Sequence, residues 1–305
     1  MSVSESNAGG VRTISYGPDP AQVGDLYLPP GNGPFPLVVL VHGRWWTALV
    51  DRRQVAPLAE DLRRGGYAVW NIDYRTVGLP GGGWPGTFLD VAAAVDLVGG
   101  LDPAIDTEQV VTVGHSAGGH LAVWAASRPD LPKQAPGYAP RILPIAAVSL
   151  AGVLDLVAAD ADRGGAGLGD PAAAEPAGQP PADRPDLWPR VAELVGDGVL
   201  PVLLGGHAAE MPERYAWTSP TMLSSGTVPV LATHGVDDDV LPIRYGRNYR
   251  TAATARREPV EFREIPAAHH FDLVDPEHPS WARTLDWIAE RISGRAGAPI
   301  TPSRG

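Results

Sequence analysis

The chain has no cysteine among its 305 residues. That excludes disulfides, thiolate nucleophiles and cysteine-ligated metals. Positive charge is also scarce: 24 Lys and Arg against 35 Asp and Glu leave a formal charge of −11. So acidic a chain is poorly matched to nucleic acid or to an anionic membrane surface. No apolar run is long enough to span a bilayer. Met1 to Gly10 carries neither a basic nor an apolar segment, so no leader is read there and a cytoplasmic location is expected. A Gly-x-Gly-x-x-Gly turn and a phosphate-binding lysine motif are missing, and the eight histidines lack the spacing of a metal site. No cofactor and no metal are expected.

What is present is a rhythm of apolar runs and helical patterns. Leu37 to Val41 is continuously apolar, as a strand covered on both faces requires. Further strands are expected at Val23 to Leu28, Tyr67 to Ile72, Val110 to Val113, Ile142 to Leu150, Val228 to Thr233 and Pro259 to Ile265. Helical spacing falls at Arg52 to Arg64, Thr87 to Val98 (with Thr87 as the cap), Gly119 to Ala126, Ile243 to Arg256 and Ser280 to Ile292. Strands alternating with helices predict an α/β fold, a mainly parallel, doubly wound sheet with helices on both faces. One domain is expected over 11–293, between disordered tails at 1–10 and 294–305. The Ala-, Gly- and Pro-rich stretch 158–190 reads as a small flexible insertion or partial lid.

The motif that carries chemistry is Gly114-His115-Ser116-Ala117-Gly118, set between an apolar strand and a helix. In that context two glycines permit a sharp turn that presents the serine hydroxyl at a helix N-terminus. A serine hydroxyl needs a base, and the base needs an orienting carboxylate. Acid candidates follow the run ending at His234: Asp237, Asp238 and Asp239. Base candidates follow the last strand: His269 and His270.

These residues resemble the α/β-hydrolase superfamily and, within it, the bacterial esterase and arylformamidase (kynurenine formamidase-like, prolyl-oligopeptidase-like) group. The resemblance runs from about Tyr16 to Ile292. It rests on His42-Gly43, Asn71-Ile72-Asp73-Tyr74-Arg75, Gly81-Gly82-Gly83-Trp84-Pro85-Gly86, the serine turn through His120, His234-Gly235 to Pro242, and His270-Phe271-Asp272-Leu273. It implies the α/β-hydrolase fold and a serine hydrolase that cleaves a small carboxylic ester or aryl-formamide through an acyl-enzyme. The pattern His-Gly-x-x-Asp-x-x-Val-Pro selects Asp238, with Leu241 in place of Val, and the Phe-Asp that follows selects His270. The implied catalytic set is Ser116, Asp238 and His270. The implied oxyanion donors are the N–H groups of Ala117, Arg44 and Trp45, and Trp46, Trp84, His115 and Trp217 are candidate pocket residues. The expected partner is a small-molecule acyl substrate.

One position departs from the family pattern: Arg44 stands where a second glycine is expected. Either Arg44 has an acceptable φ and points to solvent or pairs with an aspartate, or its guanidinium sits beside the acyl site and binds a carboxylate. The same residues would also serve a peptidase or amidase, or an acyltransferase or cyclase, and a binding module without catalysis is the reading from outside enzymes.

Overall fold

Leu37 to Val41 has no polar side chain to give to solvent, and in the computed structural model it is covered from both sides. It forms most of β4 (Phe35–Val41), with Leu37, Val39 and Val41 in one core and Val38 and Leu40 in the other. That alternation is the period of two of an extended chain with both faces buried. The structure describes residues 3–4, 10–162 and 198–296.

Around β4 lies a nine-stranded sheet in the order β1-β2-β3-β5-β4-β6-β7-β8-β9. The others are β1 (Val3–Ser4), β2 (Val11–Ser15), β3 (Val23–Tyr27), β5 (Ala68–Ile72), β6 (Ile105–His115), β7 (Ala146–Leu150), β8 (Val230–Gly235) and β9 (Val260–Ile265). From β5 to β9 all pairings are parallel, and β1, β2 and β3 join antiparallel at one edge. Register pairs Val41 with both Ile72 and Gly114, His115 with Leu150, and Leu150 with Thr233. The carboxyl ends of the central strands therefore finish level, and the loops that follow them share one edge of the sheet.

Helices cover both faces, as expected. On one face α2 (Gly86–Asp96) and α3 (Ala117–Ala126) pack Phe88, Val91, Leu121 and Trp124 against Val39 and Trp70. On the other, α1 (Ala56–Arg64) and α8 (Pro279–Ala296) bring Leu58, Leu62, Trp287 and Ile288 onto Val38, Leu40 and Val113. The Trp281 indole N–H donates to Asp61 at 2.8 Å and ties these two helices together. Shorter helices are α4 (Leu156–Ala161), α5 (Val199–Leu204) and α6 (Pro212–Ala216), and α7 (Arg244–Ala255) packs Tyr249 and Ala253 against Val230 and Ala232.

Four sequence expectations need correction. The tail assigned to 1–10 contributes β1, because the outer edge of β2 offers unpaired backbone groups to Val3 and Ser4. Strand β7 starts at Ala146, not Ile142, since Pro144 lacks the N–H a buried strand must donate. Thr87 does not cap α2: it lies inside the first turn, where its hydroxyl donates to the Arg75 carbonyl and accepts from Gly83 N–H. The last helix continues to Ala296, past the expected boundary at 293. Of the insertion assigned to 158–190, residues 158–161 are helical in α4, and positions from 163 onward lie outside the described residues.

Candidate active site

Strand β6 delivers Ser116 to the level edge, and the chain must then reverse into α3 within one residue. Ser116 carries that reversal with φ 55 and ψ −119. A left-handed φ is unfavourable for a residue with a Cβ, so neighbouring contacts must hold it. Its N–H donates to the Leu150 carbonyl at 2.8 Å, and its own carbonyl accepts from His120 N–H at 3.1 Å. Two glycines make room: a Cβ at Gly114 would lie 2.1 Å from the Gly118 oxygen, and one at Gly118 would lie 2.2 Å from the Val41 oxygen. The turn is thereby pressed against β4, with Ser116 buried and followed by the orphan N–H groups of a helix start.

The loops after β8 and β9 sort their own candidates. Asp237 and Asp239 are exposed, and the Asp238 side chain is buried. One Asp238 oxygen accepts from Val240 N–H at 2.9 Å and Leu241 N–H at 2.7 Å, a turn that aims the other oxygen inward. That second oxygen lies 2.8 Å from His270 Nδ1 and 3.1 Å from His234 Nε2. Burial alone would raise the Asp238 carboxyl, but hydrogen bonds from His234, His270 and Leu241 N–H outweigh it and hold it well below the usual carboxylate range. His269 is exposed, its N–H donating to Asp272, while His270 is buried. Asp238 accepts at Nδ1, so Nδ1 carries the proton and Nε2 is left as the basic nitrogen. Sequence reasoning did not give His234 a part. Its place four residues before Asp238 at the end of a buried strand was the available signal.

His115, a pocket candidate from sequence, is taken up in a buried hydrogen bond. It is buried, its Nε2–H donates to the His270 carbonyl at 3.1 Å, and burial together with the His270 ring lowers its pKa to about 3. A neutral imidazole therefore links the serine turn to the histidine loop, with the two rings 4.6 Å apart.

The loop after β4 lies directly over the serine. A Cβ at Gly43 would lie 3.0 Å from Ser116 Cβ. Gly43 N–H donates to Gln54 Oε1 at 2.8 Å, Tyr74 hydroxyl donates to the His42 carbonyl, and Val77 N–H donates to the Trp46 carbonyl at 2.6 Å. The N–H groups of Arg44 and Trp45 find no acceptor among the described residues. They and Ala117 N–H are the donors that the sequence resemblance assigned to an oxyanion.

Arg44 departs from its first reading in backbone and in exposure. Arg44, Trp45 and Trp46 have φ of 70, 63 and 55, three consecutive left-handed residues without a glycine. Arg44 is not in solvent, at 7% exposure, and its side chain has no hydrogen bond or ion pair among the described residues. The Arg44 carbonyl closes the turn by accepting from both the N–H and the hydroxyl of Thr47.

Trp46 is likewise no open pocket wall. It is fully buried, and its indole N–H donates to His120 Nδ1 at 3.1 Å, while His120 Nε2–H donates to the Thr218 carbonyl at 2.8 Å. Burial lowers the His120 pKa to about 4, so the ring is the neutral connector this chain of bonds requires. Trp84 and Trp217 are half-buried with ring centres 6.1 Å apart, and Arg214 lies over Trp84. Phe88 packs between Trp84 and His120, so one aromatic row runs from the loop after β4 to the Trp84–Trp217 pair.

Known proteins match this architecture. Among solved structures, esterase B from Lactobacillus rhamnosus superposes with a TM-score of 0.69 at 20% identity, covering 94% of this chain and 88% of its own. The esterase Est2 of Thermogutta terrifontis superposes with a TM-score of 0.68 at 20% identity, covering 97% of this chain and 95% of its own. Both share the α/β-hydrolase fold with this chain. Among curated relatives, the probable carboxylic ester hydrolase LipM of Mycobacterium tuberculosis is 28% identical over 80% of this chain and 51% of its own length. Esterase LipQ of the same organism is 26% identical over 86% of this chain and 57% of its own. The chain thus spans about half the length of these curated relatives. Its residues 24–194 match the BD-FAE family model, and the chain belongs to the BD-FAE family.

Proposed function

We propose that this protein is a serine esterase that cleaves esters of small carboxylic acids by two-step acyl transfer. The observation that carries the reading is the buried Asp238–His270 pair at 2.8 Å, whose histidine loop is hydrogen-bonded to His115, the residue beside a strained serine. In the first step His270 Nε2 takes the Ser116 proton as Oγ attacks the ester carbonyl. Asp238, ionised and hydrogen-bonded, stabilises the imidazolium that forms. Negative charge on the carbonyl oxygen meets the N–H groups of Ala117, Arg44 and Trp45. His270 then returns the proton to the departing alkoxide, leaving an acyl-serine and a free alcohol. In the second step water gives a proton to His270 as its oxygen attacks the acyl-serine, and His270 passes that proton to Ser116 Oγ as the carboxylic acid departs, restoring Ser116. The names of the curated relatives, both esterases, support the substrate class.

The test is a panel of p-nitrophenyl esters from acetate to octanoate, run beside N-formylkynurenine. The expected result is turnover of the shorter esters above the formamide, lost in Ser116→Ala. Preferential turnover of the formamide would move the assignment to arylformamidase, and no turnover of any ester by the folded protein would contradict it.

A further inference from the structure

We propose that Arg44 reads a carboxylate on the substrate, so that the preferred ester also bears a free acid close to the scissile carbonyl. The proposal rests on the acyl-transfer reading above and specifies its substrate class.

Three observations converge. The first is conformational. Arg44 holds φ 70 at a turn where glycine would be unstrained and any residue with a Cβ is disfavoured. A strained residue that persists at a candidate active site points to a use for its side chain.

The second is electrostatic. Three other shielded arginines have carboxylate partners: Arg52 pairs with Asp25 and Asp73, Arg75 with Asp90, and Arg128 with Asp96, while Arg214 donates to the Leu204 carbonyl and lies over Trp84. Arg44 is as shielded and has no such partner among the described residues. This occurs in a chain where acidic groups outnumber basic ones, 35 to 24. A guanidinium withdrawn from water without a partner is unfavourable, and an arriving anion repays that cost. Burial already lowers the Arg44 pKa, which nevertheless leaves a guanidinium charged at any physiological pH.

The third is position. Arg44 follows Gly43, whose backbone rides on Ser116, so its own backbone stands beside the nucleophile and its fork lies within one side chain's length of it. A planar guanidinium matches a carboxylate with two parallel hydrogen bonds. One fork balances one carboxylate charge, whereas a phosphate dianion exceeds it.

The experiment compares two matched ester pairs. Mono-p-nitrophenyl succinate against p-nitrophenyl butyrate places the charge on the acyl side. 4-Acetoxybenzoate against its methyl ester places it on the leaving-group side. Each is assayed with wild type, Arg44→Lys, Arg44→Gln and Arg44→Gly. Lysine keeps the charge and the strain, glutamine keeps only the strain, and glycine removes both. The quantity read is the ratio of kcat/KM for the anionic ester to that for its neutral partner, which cancels changes in loop geometry common to both. The expected result is a ten- to hundredfold fall in that ratio for Arg44→Gln and Arg44→Gly on one pair, with part of it kept by Arg44→Lys, about the size of one charge-assisted contact. The pair that responds tells on which side the acid lies. A ratio unchanged in every variant on both pairs, with wild type active, overturns the proposal and leaves the esterase reading standing. Wild type inactive on all four esters would instead remove the acyl-transfer reading and the proposal with it.

Discussion

At the scale of single residues, neighbours of one chemical type are separated by what their surroundings do to them. Asp237, Asp238 and Asp239 are equivalent as letters, yet only the middle side chain is buried and bonded to His234 and His270. Its charge is stabilised by hydrogen bonds that exceed the cost of burial, so it stays ionised across the working pH range. Asp238→Asn is nearly isosteric and removes the charge that fixes His270 with its proton on Nδ1. The expected outcome is a fall in kcat of about four orders of magnitude with a much smaller change in KM. Steady-state kinetics on a p-nitrophenyl ester measures both, and a loss below tenfold would remove Asp238 from the mechanism. The selection of Asp238 was legible through the offset from His234-Gly235 to Pro242. His234's own contact with the carboxylate was not, because strand-end histidines are usually read as packing.

At the scale of elements, the loop after β4 depends on partners far away in sequence. Trp46 is held by His120 on α3, and His120 by the Thr218 carbonyl, so three segments fix one left-handed turn. Trp46→Phe keeps the bulk and deletes the indole N–H, leaving His120 Nδ1 buried without a donor. A stability loss of about 1–3 kcal/mol is expected by denaturant titration. A drop in kcat exceeding any rise in KM is expected as well, since the oxyanion donors proposed for this loop act on the transition state. Combining Trp46→Phe with His120→Ala should cost less than the two separate losses added together, because both delete the same bond. Strict additivity would show that the bond does not organise the loop. Long periodic elements such as β4, α7 and α8 were readable from apolar spacing. This loop was not, since the rule that β-carbons avoid positive φ argues against Arg44-Trp45-Trp46 in this conformation. The contacts that enforce it come from residues 54, 74, 77 and 120.

At the scale of the whole molecule, the parallel strands end level, and so residues 116, 238 and 270 from three separate loops gather at one edge. The same burial makes the fold acid-sensitive. His115 and His120 are buried and neutral, with pKa values lowered to about 3 and about 4. In the unfolded chain both titrate near about 6.5, so between that pH and the folded values the unfolded state binds more protons. Their stabilisation is complete above about pH 6.5 and is lost as pH falls toward 4 and then 3, by up to about 1.4 kcal/mol per pH unit for each. Unfolding free energy measured from pH 8 to pH 3.5 should stay level down to about 6.5 and then drop steeply. A profile flat to pH 4.5 would contradict the assignment of two neutral buried rings. The alternation of strands and helices made the fold class legible from sequence. Strand β2 was missed because Val11 and Ile14 are its only apolar residues, and it is held by antiparallel pairing with β1 and β3. The most direct test of the account is intact-mass analysis after treatment with a fluorophosphonate, on wild type and on Ser116→Ala. The account expects wild type to gain one phosphonyl adduct, mapped to Ser116, and the variant to gain none. Folded wild type that remains unmodified, or an adduct that persists in Ser116→Ala, would contradict it.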